Sequence, residues 1–430
     1  MRDNALVSAL KKMGHNALLI PLYLPLTLDE EDQSAGTPIF FSGINVFLDQ
    51  KSSLFRSAPE WFHRLLASRG LLRWIGTRAA GTRPEHLGDL TLSMLRGDEG
   101  NQARELTELI AWLKTQPKPD VVCLGTALLM GIARRLRSEL GVPILCMFQG
   151  EDVFLDTLSQ PYRDQCWNEL AVRAKEVDML ASPSRYFADL MAKRLSLDPQ
   201  SIAVVSNGIN LEGFTANSER RSPVGREADV ERPVIGYLAR MCAAKGLDLL
   251  VDAYIEIRKQ RKIEPLKLKV GGSCSSTDER FVDGLRARLR NEGFLDEVEF
   301  WPNLDHAGKI AFLQSLSVFS VPARVGEAFG LYVIEALGAG VPVVQPRHGA
   351  FTELVEATGG GLLYDPENPH ALAETLQELL RQPERQRALG AAGREVVAKN
   401  FTAPAMATRM LDAFERAAKG ALRVRTNPGS

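Results

Sequence analysis

Cysteine is scarce and never patterned. The five thiols (Cys123, Cys146, Cys166, Cys242, Cys274) include no CxxC pair, which excludes a small disulfide scaffold and fits reduced thiols in a cytoplasmic protein. The six histidines (His15, His63, His86, His306, His348, His370) stand at no metal-ligand spacing, and no DxD pair occurs to hold a divalent ion. No GxGxxG follows a strand-like run, which argues against a nicotinamide enzyme, and no GxSxG elbow is present. Neither sign of charge dominates: Lys+Arg 52 against Asp+Glu 53 leaves a net charge of -1, without the basic stripe of a nucleic-acid binder. Long apolar runs are missing as well. The stretch VVCLGTALLMGIA (121–133) is 13 residues, short of the roughly 18–20 that a bilayer requires. Arg2, Asp3, Lys11 and Lys12 leave no room for a secretory signal. These absences predict a soluble, cytoplasmic chain, and 430 residues suggest two or three domains.

What is present is an alternation of short β-branched runs with helical patterns. DVVCLG (120–125), VPILCMF (142–148), DMLAS (178–182) and IAVVS (202–206) read as strands. VIGYLA (234–239), LKLKVGG (266–272), VEFW (298–301), SVFSVPA (317–323), VPVVQ (341–345) and GLLY (361–364) resume the rhythm. Near-continuous apolar strands separated by helices imply parallel sheets covered on both faces. The polar stretch NSERRSPVGREADVERP (217–233) marks a boundary or a surface insertion, and Pro383 to Ala421 reads as helix. PIFFSGINVFL (38–48) reads as a hairpin. WFHRLLASRGLLRWIGTRAA (61–80) reads as a helical pair, either a basic surface touching a membrane or lipid-linked acceptor, or ordinary packing with solvated arginines. The chain opens with a helix (5–13), a Gly14 stop and a strand in ALLIPLYL (17–24). A parallel α/β domain normally begins with a strand and a Gly-rich loop, so the expected start lies upstream or a central strand has been lost.

Two constellations carry chemistry, and two further stretches are by themselves uninformative. In RVGEAFGLYVIEALGAGVPVV (324–344) a strand leads through Gly326-Glu327 into a helix beginning near Phe329-Gly330. Glu327 and Glu335, eight residues apart, would stand roughly 12 Å apart along a helix, about the span of a nucleotide-diphosphate sugar from ribose to hexose. Between them, backbone N–H groups of Phe329, Gly330 and Leu331 would face an anion. In GYLARMCAAKGLDLLVDAY (236–254), Arg240 and Lys245-Gly246 sit across a strand-to-helix loop, where two cations can grip a diphosphate. In LKVGGSC (268–274), Gly271 and Gly272 permit a close backbone approach to a ligand; VVSNGINLEGF (204–214) is a turn at Asn207-Gly208, followed by Phe214.

Taken together these residues resemble the retaining glycosyltransferases of family 4, with the GT-B fold. The resemblance is best from about Asp178 to Leu380. It rests on SNGIN with Phe214, R-x4-KG, KVGG, the E-x7-E run of Glu327 and Glu335 followed by AxGAGVPVV, then Glu353 and Gly359–Gly361. It implies two Rossmann-like domains facing a cleft: 1–208 on the acceptor side, incomplete at its start; 209–400 for the nucleotide sugar; and 401–430 as a helix crossing back, plus a tail. By matched position it puts Glu327 on the donor sugar's hydroxyls, Glu335 on the ribose, and Arg240 and Lys245 on the diphosphate. Asn207, Gly272, Phe329, Gly330 and Leu331 complete the donor set. Many relatives carry a His where PILCMFQGED has Gln149; Gln cannot titrate, which leaves it a hydrogen bond to the donor sugar.

The resemblance therefore implies metal-free transfer of a hexosyl group, with retention, to a sugar or lipid-linked acceptor. It also implies no cofactor, no nucleic-acid partner, peripheral contact with the inner membrane face, and a place in cell-envelope or exopolysaccharide glycan synthesis. A truncated, inactive nucleotide-sugar binder and a GT-B epimerase or phosphorylase remain open alternatives.

Overall fold

Apolar runs that are buried on both faces need helices above and below the sheet. The computed structural model builds two such sheets; it describes residues 2–22, 31–34, 36–38, 40, 84–214 and 232–426. One unit comprises Met1–Val205 with Ala407–Ser430, the other Ser206–Met406.

The first unit opens with α1 (Arg2–Lys12), followed by α2 (Pro84–Arg96) and α3 (Ala103–Leu113). Then come β1 (Val122–Leu124), α4 (Ala133–Leu140), β2 (Ile144–Met147), α5 (Glu151–Thr157), α6 (Tyr162–Arg173), β3 (Met179–Ser182), α7 (Arg185–Leu195) and β4 (Ile202–Val204). The strands lie in the order β1-β2-β3-β4, all parallel. β2 is buried along its whole length, as a strand at the centre of a covered sheet must be. The strand expected in 17–24 does not form over 17–22. Leu18 is 51% exposed, and Pro21 has no N–H to give a ladder. Tyr23 and Leu24 lie outside the described residues, as do the expected helical pair at 61–80 and all of the expected hairpin beyond Pro38 and Phe40.

The second unit runs β5 (Val234–Leu238), α8 (Leu247–Lys259), β6 (Lys267–Gly272), α9 (Ser276–Asn291), β7 (Val298–Pro302), α10 (His306–Gln314) and β8 (Val318–Phe319). It continues with α11 (Leu331–Gly338), β9 (Val343–Pro346), α12 (Ala350–Thr358), β10 (Gly361–Tyr364), α13 (Ala371–Leu380) and α14 (Pro383–Asn400). The last helix, α15 (Ala403–Thr426), starts here and belongs to the first unit from Ala407 onward. Six parallel strands take the order β10-β9-β8-β5-β6-β7 around a core that includes Tyr237, Tyr254, Phe319 and Phe351. β8 is shorter than SVFSVPA suggests. The Val321 N–H goes to the Gln345 side chain at 3.4 Å, and Pro322 has no donor. Strand order reverses between β5 and β8. The chain lays β6 and β7 to one side of β5, then β8, β9 and β10 to the other. The loops leaving β5 and β8 meet at the strands' carboxyl ends, where the Arg324 N–H donates to Ala244 O at 3.0 Å, and sheets of this kind carry their ligand crevice at that point. Among the described residues no helix is long and apolar enough to cross a membrane.

Candidate functional site

The loop after β5 (239–246) is fixed before any side chain matters. The Tyr237 hydroxyl donates to the Arg240 carbonyl at 2.7 Å, and the Met241 N–H donates to Ser273 O at 2.9 Å, joining this loop to the one after β6. The turn ends at Gly246, whose φ of 71° lies in the left-handed region; a Cβ there would sit 1.8 Å from Pro322 O on the loop after β8. Only glycine lets the two loops approach this closely. Lys245, one residue earlier, is delivered to the crevice and pairs with Glu327 across it. The Lys245 ammonium also lies 5.9 Å from the centre of the Tyr332 ring. Burial, and then the Glu327 carboxylate, push the Tyr332 phenol well above its ordinary value.

Glu327 lies in a loop ahead of the helix, as the sequence suggests, and so shares no helix with Glu335. That helix, α11, begins at Leu331 behind a Gly330 cap with φ of 94°. The 12 Å estimate along one helix therefore does not apply, because four residues of loop precede the first helical turn. The opening turn of α11 lies correspondingly later than Phe329. The Phe329 side chain is core, 4% exposed and 6.2 Å centre to centre from Phe401, and the Val333 N–H is bonded to Gly330 O at 3.0 Å. That leaves Leu331 and Tyr332 in the opening turn. Glu335, one turn into α11, is held by Lys309 of α10 at 2.9 Å, with both side chains nearly buried.

Arg240 has a partner that spacing did not suggest. Asp278, in the first turn of α9, accepts from Arg240 Nη2 at 2.9 Å and from Nε at 3.1 Å. The carboxylate is 6% exposed, while the arginine side chain is 55% exposed. Burial opposes the charge on Asp278, but hydrogen bonds from Arg240 and Ser275 hold its carboxyl below the ordinary value. The hydrogen bond to Asp278 in turn raises the Arg240 guanidinium. The sequence did carry a signal for this residue: Ser275-x-x-Asp278 has the spacing of a capping box, and that box forms. Nothing in the sequence couples Lys309 to Glu335.

The remaining expected residues divide. Gly272 ends β6 at φ of 127°, and a Cβ there would lie 1.9 Å from Ala239 O; the close approach is to neighbouring backbone. Asn207 is 8% exposed, beside the segment around Thr402. Next to it, the Gly208 N–H points at Met406 Sδ at 3.3 Å, and Ile209 bridges to Thr402. Phe214 is core at 2% exposed. In the first unit, Gln149 donates to Gly125 O at the carboxyl end of β1. Its loop is built around Glu151, 5% exposed, whose carboxylate accepts from Thr126 Oγ1 and the N–H groups of Ala127, Gln149 and Gly150 at 2.8–3.1 Å. Among the described residues no group of three or more His, Cys, Asp or Glu could hold a metal ion.

Comparison with known proteins adds to this geometry. Residues 219–396 match the family described as Glycosyl transferases group 1, and residues 90–212 match Glycosyltransferase Family 4. A D-inositol 3-phosphate glycosyltransferase of Segniliparus rotundus is 28% identical over 57% of this chain and 54% of its own length. One from Jonesia denitrificans is 31% identical over 51% and 52%. A GDP-mannose-dependent alpha-(1-6)-phosphatidylinositol monomannoside mannosyltransferase of Mycobacterium tuberculosis is 28% identical over 49% and 55%. The chain thus spans a little over half the length of these relatives. Among solved structures, sucrose-phosphate synthase from Thermosynechococcus elongatus aligns with a TM-score of 0.60 at 22% identity, covering 73% of this chain and 78% of that one. Anabaena HepE in complex with UDP aligns with a TM-score of 0.62 at 15% identity, covering 74% and 84%. With two parallel-sheet α/β units, and glycosyltransferase matches over 90–212 and 219–396, the chain has the GT-B fold.

Proposed function

We propose that this chain is a retaining glycosyltransferase that moves a hexosyl group from a nucleotide-diphosphate sugar to a sugar or lipid-linked acceptor, without a metal. One observation carries the reading. Arg240, Lys245 and Glu327 come from the two loops that flank the strand-order reversal of the second unit, and Lys245 already bonds Glu327 there. Open α/β sheets bind ligands at that point.

The chemistry follows from the charges. As the bond from the sugar's C1 to the phosphate oxygen breaks, negative charge grows on the departing diphosphate. Two cations and the opening turn of α11 are the groups available to stabilise it. Glu327 accepts hydrogen bonds from the donor's hydroxyls while staying next to Lys245. Glu335, steadied by Lys309, takes the ribose hydroxyls. The acceptor oxygen bonds C1 on the face the phosphate leaves, and its proton passes to the departing phosphate oxygen. No side chain need act as the base.

Thermal unfolding with UDP, GDP and ADP tests the donor site; the HepE structure is a complex with UDP, and the Mycobacterium relative is GDP-mannose-dependent. A ligand at about a hundred times its dissociation constant adds roughly 2.7 kcal/mol, and at about 2–4 °C per kcal/mol that is a shift of several degrees. One nucleotide is expected to raise the wild-type midpoint and to lose that effect in Glu335→Ala. Glu327→Ala is expected to abolish transfer, and transfer by the wild type is expected to survive EDTA. Unaltered transfer by Glu327→Ala, or release of sugar phosphate on adding inorganic phosphate, overturns the proposal.

A further inference from the structure

We propose that Asp278 is a positioning residue for the donor diphosphate, holding one edge of the Arg240 guanidinium so that its other edge meets the phosphates. This rests on the donor-site reading above and adds to it a residue outside the motifs that suggested it. The two ion pairs at the crevice differ in kind. Lys245 and Glu327 face each other directly, and each is a group the donor itself would engage. Asp278 instead takes Arg240 only through Nε and Nη2, at 2.9–3.1 Å. A guanidinium is a flat fork with two usable edges, so a carboxylate on one edge leaves Nη1 free to donate to a phosphate oxygen. The pair can therefore persist in the complex.

The anchor is rigid on its own account. The Asp278 carboxylate also accepts from the Ser275 N–H at 3.0 Å and the Ser275 hydroxyl at 2.6 Å, which fixes it at the start of α9. The loop that carries Ser275 is bound on both sides. Ser273 O accepts from Met241, and Asn303, on the loop after β7, takes the Cys274 N–H at 3.1 Å. A half-exposed arginine thus stands on a buried, five-bonded carboxylate. Without it, the long side chain would have to be ordered by the ligand at each binding event.

The test is calorimetric titration of the nucleoside diphosphate that stabilises the wild type, beside the matching monophosphate. Asp278→Asn is expected to weaken the diphosphate on the order of tenfold, about what losing one charge-assisted hydrogen bond costs, and to leave the monophosphate nearly unchanged. In an Arg240→Ala background the same substitution is expected to cost nothing further. Ser275→Ala, which loosens the helix cap but spares the Arg240 contacts, is expected to lower the unfolding midpoint and keep the preference for diphosphate. Arg240→Lys keeps the charge, loses the fork and provides the reading if Asp278→Asn does not fold; it is expected to lose the same selectivity. The proposal is overturned if Asp278→Asn binds diphosphate as the wild type does, or weakens both nucleotides alike, or if Arg240→Lys is indistinguishable from wild type. A wild type that binds no diphosphate overturns the donor-site reading, and this proposal with it.

Discussion

At the scale of single residues, glycine separates what the backbone demands from what it tolerates. Gly272 has no space for a side chain, since Ala239 O occupies the place of a Cβ, and its φ of 127° disfavours every other residue. Gly284, inside α9, has open space around the same position. Gly272→Ala is expected to destabilise the fold by roughly 2–4 kcal/mol, combining strain with overpacking. Gly284→Ala is expected to stabilise it by about 0.5–1 kcal/mol. Denaturant midpoints of the two variants check both signs, and similar midpoints would remove the distinction. The same comparison shows how a residue can be singled out for the wrong reason. Two glycines at a strand end read as room for a ligand, whereas the room at Gly272 is taken by the adjacent loop.

At the scale of elements, acid sensitivity should gather where carboxylates close a helix start onto a loop. Asp278 on α9 and Asp248 on α8 both lie below their ordinary values. Burial opposes this in each case, and hydrogen bonds from Arg240 and Arg324 respectively overcome it. A carboxyl lowered on folding contributes stability that is fully present above its unfolded value of about 3.9 and is lost as pH falls through its folded value. Midpoints are therefore expected to hold from neutral pH down to about pH 4 and to fall below it. Asp278→Asn and Asp248→Asn should each flatten that acid limb, and an unchanged limb in both would contradict the assignment. Elements also show which signals sequence carries. GLLY became β10 at 361–364, an edge strand that pairs with β9 alone and fully buries only Tyr364. ALLIPLYL has a similar apolar composition and forms no strand over 17–22, since composition does not reveal whether an edge is available or whether Pro21 interrupts it. The loop that carries Gly326-Glu327 ahead of a helix was legible in the sequence, but not that the helix waits until Leu331, which removes the spacing estimated along one helix.

At the scale of the whole molecule, the GT-B fold was legible because strand-helix alternation repeats in two series on either side of a polar stretch. The ion pairs of the site were not, because Asp278 and Lys309 reach Arg240 and Glu335 only through tertiary contacts. Deuterium uptake with and without the stabilising diphosphate is expected to slow most within the second unit, at 239–246 and 326–336; equal slowing along β1 to β4 would count against donor binding there. The reversal of strand order has a kinetic consequence. β5, β6 and β7 are sequence neighbours that pair in turn, as are β8, β9 and β10. The two triplets are joined by the seam of Ile235 with Val318 and Gly236 with Phe319, beside a contact 83 positions apart in the chain. Closing so long a loop is entropically the slowest pairing of the sheet. Arg240, Lys245 and Asp278 lie on one side of that seam, Glu327 and Glu335 on the other. During refolding the charged crevice is thus among the last features to exist, and a nucleotide present from the start should accelerate nothing until the seam has closed.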